Sequence, residues 1–189
     1  FGRYRDVDGD GIGYRTYPGT HPDKGAFFTR GTSRDEFAAY TESPELYVRN
    51  MERLLEKWKT ASTLVPKAEI STGNSKVGVI YYGTTALPMP EALDMLVPEG
   101  IQLDTCRVRS FPFGEEVHDF VESHELVFVV EQNRDAQMRT LLIIEGDFAP
   151  SKMISITYYA GLSISANFIS NSISEYYQAN KLPRLTEVQ

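Results

Sequence analysis

Short apolar runs alternate with helical patterns from residue 76 onward. The strand-like runs carry apolar residues at consecutive positions, which is typical of strands buried on both faces of a mostly parallel sheet. The predicted strands are residues 77–82, 103–110, 126–131 and 153–159, and the predicted helices between and after them are residues 90–97, 115–124, 135–144 and 164–177. This alternation predicts an α/β fold, a three-layer αβα sandwich around a mostly parallel sheet.

The first 41 residues show neither the helical period of about 3.6 residues nor the strand period of about 2. Gly and Pro interrupt them, in segments such as 8–11 and 18–19. This predicts an irregular N-terminal arm. The arm is also rich in aromatic residues, namely Phe1, Tyr4, Tyr14, Tyr17, Phe27, Phe28 and Phe37. So many aromatic side chains favour packing against a domain or subunit outside the chain. Together with a first residue other than Met, they lead us to expect a piece of a longer polypeptide.

A long amphipathic helix is predicted over residues 44–62. Ser43 can cap it, Pro44 suits its first position, and Glu45 complements the positive end of the helix. Its apolar positions recur at helical spacing, and they are Tyr47, Met51, Leu54, Leu55 and Trp58. Residues 66–75, which include Gly73 and Asn74, are predicted to form a linker. We therefore divide the chain into residues 1–66, the arm with its linker helix, and residues 67–189, the α/β domain.

Composition narrows the possible functions. The formal net charge is -7, with 26 acidic and 19 basic residues, which argues against a nucleic-acid partner. No apolar run approaches the roughly 18 residues of a membrane span. The chain has a single cysteine, Cys106, and three histidines, too few and too scattered for a zinc or iron–sulfur site. We expect a cytoplasmic protein that binds no membrane and no metal, and a buried Cys106.

Two segments carry weak ligand-binding patterns. Residues 6–11 match the first half of a calcium-binding loop, but the position that requires Glu holds Tyr17. The pattern favours a Gly/Asp turn, and a calcium-dependent interaction module is an alternative. The turn at Gly83 follows a strand but lacks the glycines of a phosphate-binding loop. It favours a plain turn in which Thr84 or Thr85 caps the helix, with a free-standing module for a nucleotide or small anion as the alternative.

Glu131, Asn133 and Gln137 stand at the carboxyl end of a predicted buried strand and at the start of the next helix. Buried polar groups there must find hydrogen-bond partners. The carboxyl ends of the strands of an open α/β sheet are also where ligands and partners bind. Two interpretations are open. Glu131 and Asn133 cap loop and helix amides, or these residues form a subunit or active-site contact.

Several blocks, in this order and spacing, resemble the alpha subunit of the 2-oxoacid:ferredoxin oxidoreductases, most closely the 2-oxoglutarate branch. The resemblance covers essentially the whole chain. The blocks are residues 17–20, 29–36, 40–42 and 49–51 in the first region, and 78–83, 108–113 and 129–137 in the second. Two positions depart from the family pattern: Ala136, where many relatives have Gly, and Arg34, where they have His.

The resemblance implies a parent enzyme that oxidatively decarboxylates a 2-oxoacid on thiamine diphosphate, forms acyl-CoA and CO2, and passes electrons to ferredoxin. It implies that residues 67–189 are the transketolase C-terminal-like domain, with a structural and subunit-assembly role, and that the fragment alone is inactive. Thiamine diphosphate, magnesium and the iron–sulfur cluster would be held by the beta subunit and by a pyrimidine-binding domain outside this chain. The fragment would then carry no catalytic residue and bind no cofactor.

Within that enzyme, basic residues of the arm are candidates for orienting the substrate. Arg30 and Arg34 are the residues we select, because arginine pairs with carboxylates through two hydrogen bonds. The alternative is that they form surface or interface ion pairs.

Overall fold

The structure, a computed structural model, describes residues 1–28, 31 and 33–185. It divides into two compact units, residues Phe1–Val65 and Pro66–Gln189. The helices are α1 Pro44–Leu64, α2 Met89–Leu96, α3 Glu115–Ser123, α4 Gln137–Gly146 and α5 Ala166–Asn180, and the strands are β1 Glu69–Ser71, β2 Val77–Tyr82, β3 Asp104–Val108, β4 Leu126–Glu131 and β5 Met153–Thr157.

Unit 1, residues 1–65, consists of the irregular arm and α1. Ser43 caps α1 as predicted, since its hydroxyl accepts from the Leu46 amide at 3.3 Å. The arm contacts α1 closely around Gly11, whose carbonyl accepts from Arg53 at 2.8 Å. The hydroxyl of Thr60 donates to the Asp10 carbonyl at 2.6 Å. The first unit is therefore an arm fastened to one long helix by side chains of that helix.

Unit 2, residues 66–189, has a five-stranded sheet in the order β1-β3-β2-β4-β5. The β3, β2, β4 and β5 strands pair in parallel, and β1 joins the edge in antiparallel orientation. The predicted mostly parallel α/β fold is confirmed. Residues 66–75 were predicted to be only a linker, yet they contain β1. That strand has three residues, all exposed, and so has no hydrophobic period to reveal it.

Alternate residues of the central strands enter two separate cores. Val79 and Phe128 pack with α2 and α5 on one face of the sheet. Ile80 and Val129 pack with α3 and α4 on the other. Helices cover both faces, which explains why β4 is apolar at consecutive positions. No helix in the described part of the chain has the length and apolar character to cross a membrane.

Candidate functional site

Polar side chains come together at the end of the sheet where the parallel strands have their carboxyl ends, which we call the carboxyl edge. Because β2, β4 and β5 run in parallel, the segments that follow them meet at this edge. Glu131, the last residue of β4, is fully buried. Its carboxylate accepts from the backbone amides of Met138 at 2.8 Å and Arg139 at 3.2 Å. These amides lie in the first turn of α4, where a negative charge is stabilised by the helix dipole.

Asn133 completes the arrangement around Glu131. Its Nδ2 donates to Glu131 Oε2 at 2.6 Å, and its Oδ1 accepts from the amides of Asp135 at 3.0 Å and Gln137 at 3.3 Å. The structure thus places Glu131, Asn133 and the Gln137 backbone in one network. These contacts are those of the capping interpretation, and the Gln137 residue itself is exposed.

Tyr82 ends β2 beside this network. Burial raises the pKa of its hydroxyl, and the Glu131 charge raises it further, whereas a hydrogen bond with Asn133 lowers it. A phenol with a raised pKa stays protonated and serves as a donor. The edge therefore presents a neutral hydroxyl next to a buried carboxylate.

Gln132 is a residue that the sequence analysis missed. Its Nε2 donates to the hydroxyls of Thr84 at 3.0 Å and Thr85 at 3.1 Å. Its Oε1 accepts from the Ile164 amide at 3.4 Å. The prediction that Thr84 or Thr85 caps the next helix was wrong, since α2 has Pro88 at its cap and no side-chain cap bond. Both hydroxyls bind Gln132 across the sheet edge, a long-range contact without a local sequence signal.

In unit 1, Arg34 is only 7% exposed. Its guanidinium lies 5.6 Å from the centre of the Tyr40 ring, and its carbonyl accepts from Asn50 Nδ2 at 2.6 Å. The other predicted substrate-binding residue, Arg30, lies outside the described residues.

The Asp6 to Gly11 segment forms a turn closed by its own carboxylates. Asp6 accepts from the amides of Gly9 at 2.9 Å and Gly11 at 3.0 Å, and Asp8 accepts from the Tyr14 hydroxyl at 2.9 Å. Among the described residues, no group of three or more His, Cys, Asp or Glu is arranged to hold a metal ion. The acidic side chains of the segment thus act as hydrogen-bond acceptors within the arm.

Cys106 lies fully buried in the middle of β3. Burial, and to a lesser extent the charge of Glu116, raises the pKa of its thiol to about 12. A thiol held in this state is a poor nucleophile. Cys106 therefore contributes to the core of unit 2.

Comparison with known proteins places these features in context. No protein-family model matches the chain. The alpha subunit of 2-oxoacid:ferredoxin oxidoreductase 2 from Aeropyrum pernix is 32% identical over 158 residues, which cover 80% of this chain and 24% of that protein. The chain thus spans about a quarter of the length of this relative.

A solved structure has a similar fold. It is a 2-oxoglutarate:ferredoxin oxidoreductase from Magnetococcus marinus with 2-oxoglutarate, coenzyme A and succinyl-CoA bound. The TM-score is 0.76 at 23% identity, and the match covers 91% of this chain and 30% of that one. The resemblance inferred from the sequence blocks is confirmed by the Aeropyrum pernix relative, and the Magnetococcus marinus structure shows the same fold.

Proposed function

Because the chain is a homologue of part of a 2-oxoacid:ferredoxin oxidoreductase alpha subunit, we propose that it is the carboxyl-terminal part of such a subunit. Its role is structural: it holds the subunits of the complex together while the chemistry proceeds elsewhere. The observation that carries the proposal is the 32% identity across 80% of the chain, together with a fold shared over 91% of it.

The carboxyl edge of unit 2 supports an assembly role. The polar atoms of Glu131 and Asn133 that could contact a substrate are engaged by amides of their own loop and helix. The same edge exposes large apolar side chains in the segments that follow β2 and β5: Leu87 is 81% exposed, Tyr159 66% and Leu162 78%. Apolar side chains on a surface are typical of contacts with another protein. We assign Glu131, Asn133 and Gln137 to the support of such an interface.

The residues of this chain do not fit an iron–sulfur cluster. Iron–sulfur clusters take cysteine thiolates as ligands, and the one cysteine of the chain is Cys106. Thiamine diphosphate, which acts as the electron sink for decarboxylation, and its magnesium would be held by the beta subunit and the pyrimidine-binding domain. The proposed partners are therefore these two and ferredoxin, in a cytoplasmic complex.

We propose 2-oxoglutarate as the substrate and succinyl-CoA and CO2 as the products, in line with the compounds bound in the Magnetococcus marinus structure. The alternative of a free-standing nucleotide or small-anion module is less favoured. The hydroxyls of Thr84 and Thr85 are bound by Gln132, and the turn at Gly83 leads into a 3-10 helix of only four residues.

The test measures the reduction of ferredoxin or a viologen dye that depends on 2-oxoglutarate and coenzyme A. We expect turnover by the alpha–beta complex that contains this chain, with pyruvate a poorer substrate, and no turnover by the 189 residues alone. A tagged version of the chain should also capture the purified beta subunit. Turnover by the chain alone, or failure to capture the beta subunit, contradicts the proposal, and tight binding of a nucleotide by the chain alone favours the alternative.

A further inference from the structure

The helix α1 has an apolar face that is exposed. Six large apolar side chains recur at the three- and four-residue spacing of one helix face, and each is between 40% and 65% exposed: Tyr47, Val48, Met51, Leu54, Leu55 and Trp58. At 3.6 residues per turn, they span an arc of about 120° around the helix. A stripe of this width is typical of a helix that faces a protein core. Yet none of the residues of α1, all of which the structure describes, is buried.

The arm packs on a different face of α1. Asn50 Nδ2 donates to the Arg34 carbonyl at 2.6 Å, and Arg53 Nη1 donates to the Gly11 carbonyl at 2.8 Å. The Thr60 hydroxyl donates to another carbonyl of the arm at 2.6 Å. These three donors share one side of the helix, away from the apolar stripe. Unit 1 is therefore held together by polar positions of α1, and its apolar face takes no part in these bonds.

The third face of α1 is charged and already serves as the solvent face. Its side chains are exposed, and they include Glu45, Arg49, Glu52 and Lys59. A helix gains most of its stability in a protein from packing an apolar face against other elements. Contiguous apolar side chains on a surface are typical of contacts with another protein or domain. The apolar face of α1 thus has the character of an interface.

The width of this face indicates the kind of surface that covers it. A two-stranded coiled coil buries a narrow stripe of two positions in each heptad. Here Val48 and Leu55 add a third apolar position to the row formed by Tyr47, Met51 and Leu54. The wider face fits the apolar surface of a folded domain better than it fits α1 of a second copy.

The relatives indicate where such a domain comes from. The region matched by this chain covers 24% of the Aeropyrum pernix alpha subunit, so about three quarters of that polypeptide has no counterpart here. We propose that the apolar face of α1 packs against an apolar surface in the remaining part of the alpha subunit. This inference rests on the proposed function, because it takes the chain as one part of such a subunit.

The first experiment measures the burial of position 55 by thiol labelling. N-ethylmaleimide reacts with Leu55→Cys in the 189-residue chain and in the longer subunit, and peptide mass spectrometry follows each thiol. We expect labelling to be at least about tenfold slower in the longer subunit, because a buried thiol reacts only when the structure opens. The control is Ile144→Cys, at a 70% exposed position of α4. Unless Leu55→Cys is slowed about tenfold, and more than Ile144→Cys, the inference is wrong.

The second experiment measures stability and needs no thiol. In the longer subunit, Leu55→Ala should lower Tm by about 2–4 °C more than Ile144→Ala, since only Leu55 would leave a cavity in an interface. In the 189-residue chain, where both side chains are exposed, the two variants should melt alike. Equal Tm values for the two variants of the longer subunit would overturn the inference.

Two further outcomes name a different occupant and also overturn the inference. The first is slow labelling of Leu55→Cys in the 189-residue chain, with a dimer seen by light scattering, which means a second copy. The second is protection that begins only when the beta subunit is added. Labelling reports burial and not turnover, so a failure of the proposed function, seen as no dye reduction dependent on 2-oxoglutarate, is measured separately.

Discussion

The side-chain amide of Asn133 donates to the buried carboxylate of Glu131 at 2.6 Å. This bond joins the end of β4 to the loop before α4, and the same carboxylate also receives two amides of the first turn of that helix. Both carboxylate oxygens are therefore acceptors for neighbouring donors. The side chain at position 131 must therefore present a hydrogen-bond acceptor at both of these positions.

Glu131→Gln tests this requirement. The new amide group would place a donor against at least one donor of the network, so we expect the free energy of unfolding to fall by about 2–4 kcal/mol. Urea denaturation followed by circular dichroism measures the change. Asp135→Asn is the control, since Asp135 is exposed and pairs with the adjacent Arg134, and it should leave stability nearly unchanged. Equal stability of the two variants would contradict the network.

The contrast between Glu131 and Gln132 illustrates what the sequence can reveal. A carboxylate at the end of a buried strand is visible in the sequence, because such a charge must find donors in the loop and helix that follow. Gln132 is the next residue, and its partners Thr84 and Ile164 are 48 and 32 residues away. Its role depends on strand order, which the periodicity does not determine. The same holds for β1, which is recognisable only by its pairing with β3.

Ala136 stands before α4 with φ 50° and ψ 50°, the left-handed region that costs a residue with a Cβ about 1–2 kcal/mol. Ala136→Gly should therefore stabilise unit 2 by about 0.5–1 kcal/mol. The matched control is Ala179→Gly, an exposed position inside α5, where the same substitution should destabilise by up to about 1 kcal/mol. Opposite signs in thermal or urea unfolding are the expected result. A loss of stability at both positions would contradict the strained conformation.

Gly11 allows the arm to approach α1. A Cβ at this position would lie 2.2 Å from the Lys57 backbone nitrogen and 2.7 Å from the Arg53 carbonyl oxygen. Gly11→Ala should therefore detach the arm from α1, measured as faster amide exchange in residues 10–13 and a shifted fluorescence of Trp58. Gly9 has a similar φ to Gly11, 77° against 76°, but a Cβ at position 9 would meet nothing within 4 Å. Gly9→Ala therefore separates the effect of backbone strain from that of the steric clash. Equal effects of the two substitutions would show that close approach is unimportant.

We expect the buried thiol of Cys106 to cause a loss of stability at alkaline pH. Its pKa rises from an ordinary value of 9.0 to about 12 because the thiol is buried. Above the unfolded pKa, the unfolded chain releases a proton that the folded chain retains, so that stability falls with rising pH by up to about 1.4 kcal/mol per pH unit. This loss spans the range between the two pKa values. Tyr177, whose pKa burial also raises to about 12, adds to the loss above about pH 10.

Cys106→Ala isolates the thiol contribution. The variant is less stable at neutral pH because it leaves a cavity, but its stability should decline less steeply than that of the wild type between about pH 9 and 10. Unfolding free energies at a series of pH values provide the slopes. Parallel slopes would mean that Cys106 does not carry the alkaline loss. The folded wild type should also resist alkylation by iodoacetamide until it unfolds.

Asp104 and His124 form a buried pair at the opposite edge of the sheet. Asp104 Oδ2 lies 3.3 Å from His124 Nε2, and the two side chains are 4% and 2% exposed. The other oxygen of Asp104 accepts from the amides of Gly73 at 2.7 Å and Ser75 at 3.1 Å, which anchors the loop after β1. His124 Nδ1 is 2.5 Å from the Phe120 carbonyl, and since a carbonyl only accepts, Nδ1 carries a proton.

Asp104→Asn and Asp104→Ala should therefore differ sharply. In the Asn variant, the remaining oxygen accepts from both loop amides and the new amide group replaces Oδ2 as the neighbour of His124 Nε2, so we expect a loss of only about 1 kcal/mol. In the Ala variant, two amides and a ring nitrogen lose their partner in a buried site, and the loss should be about 3–5 kcal/mol. Glu131→Gln differs from Asp104→Asn in this respect. Donors face both oxygens of Glu131, so an amide nitrogen at either position would face another donor. Equal losses for the Asn and Ala variants in urea denaturation would contradict the role of Asp104 as the acceptor for the loop amides.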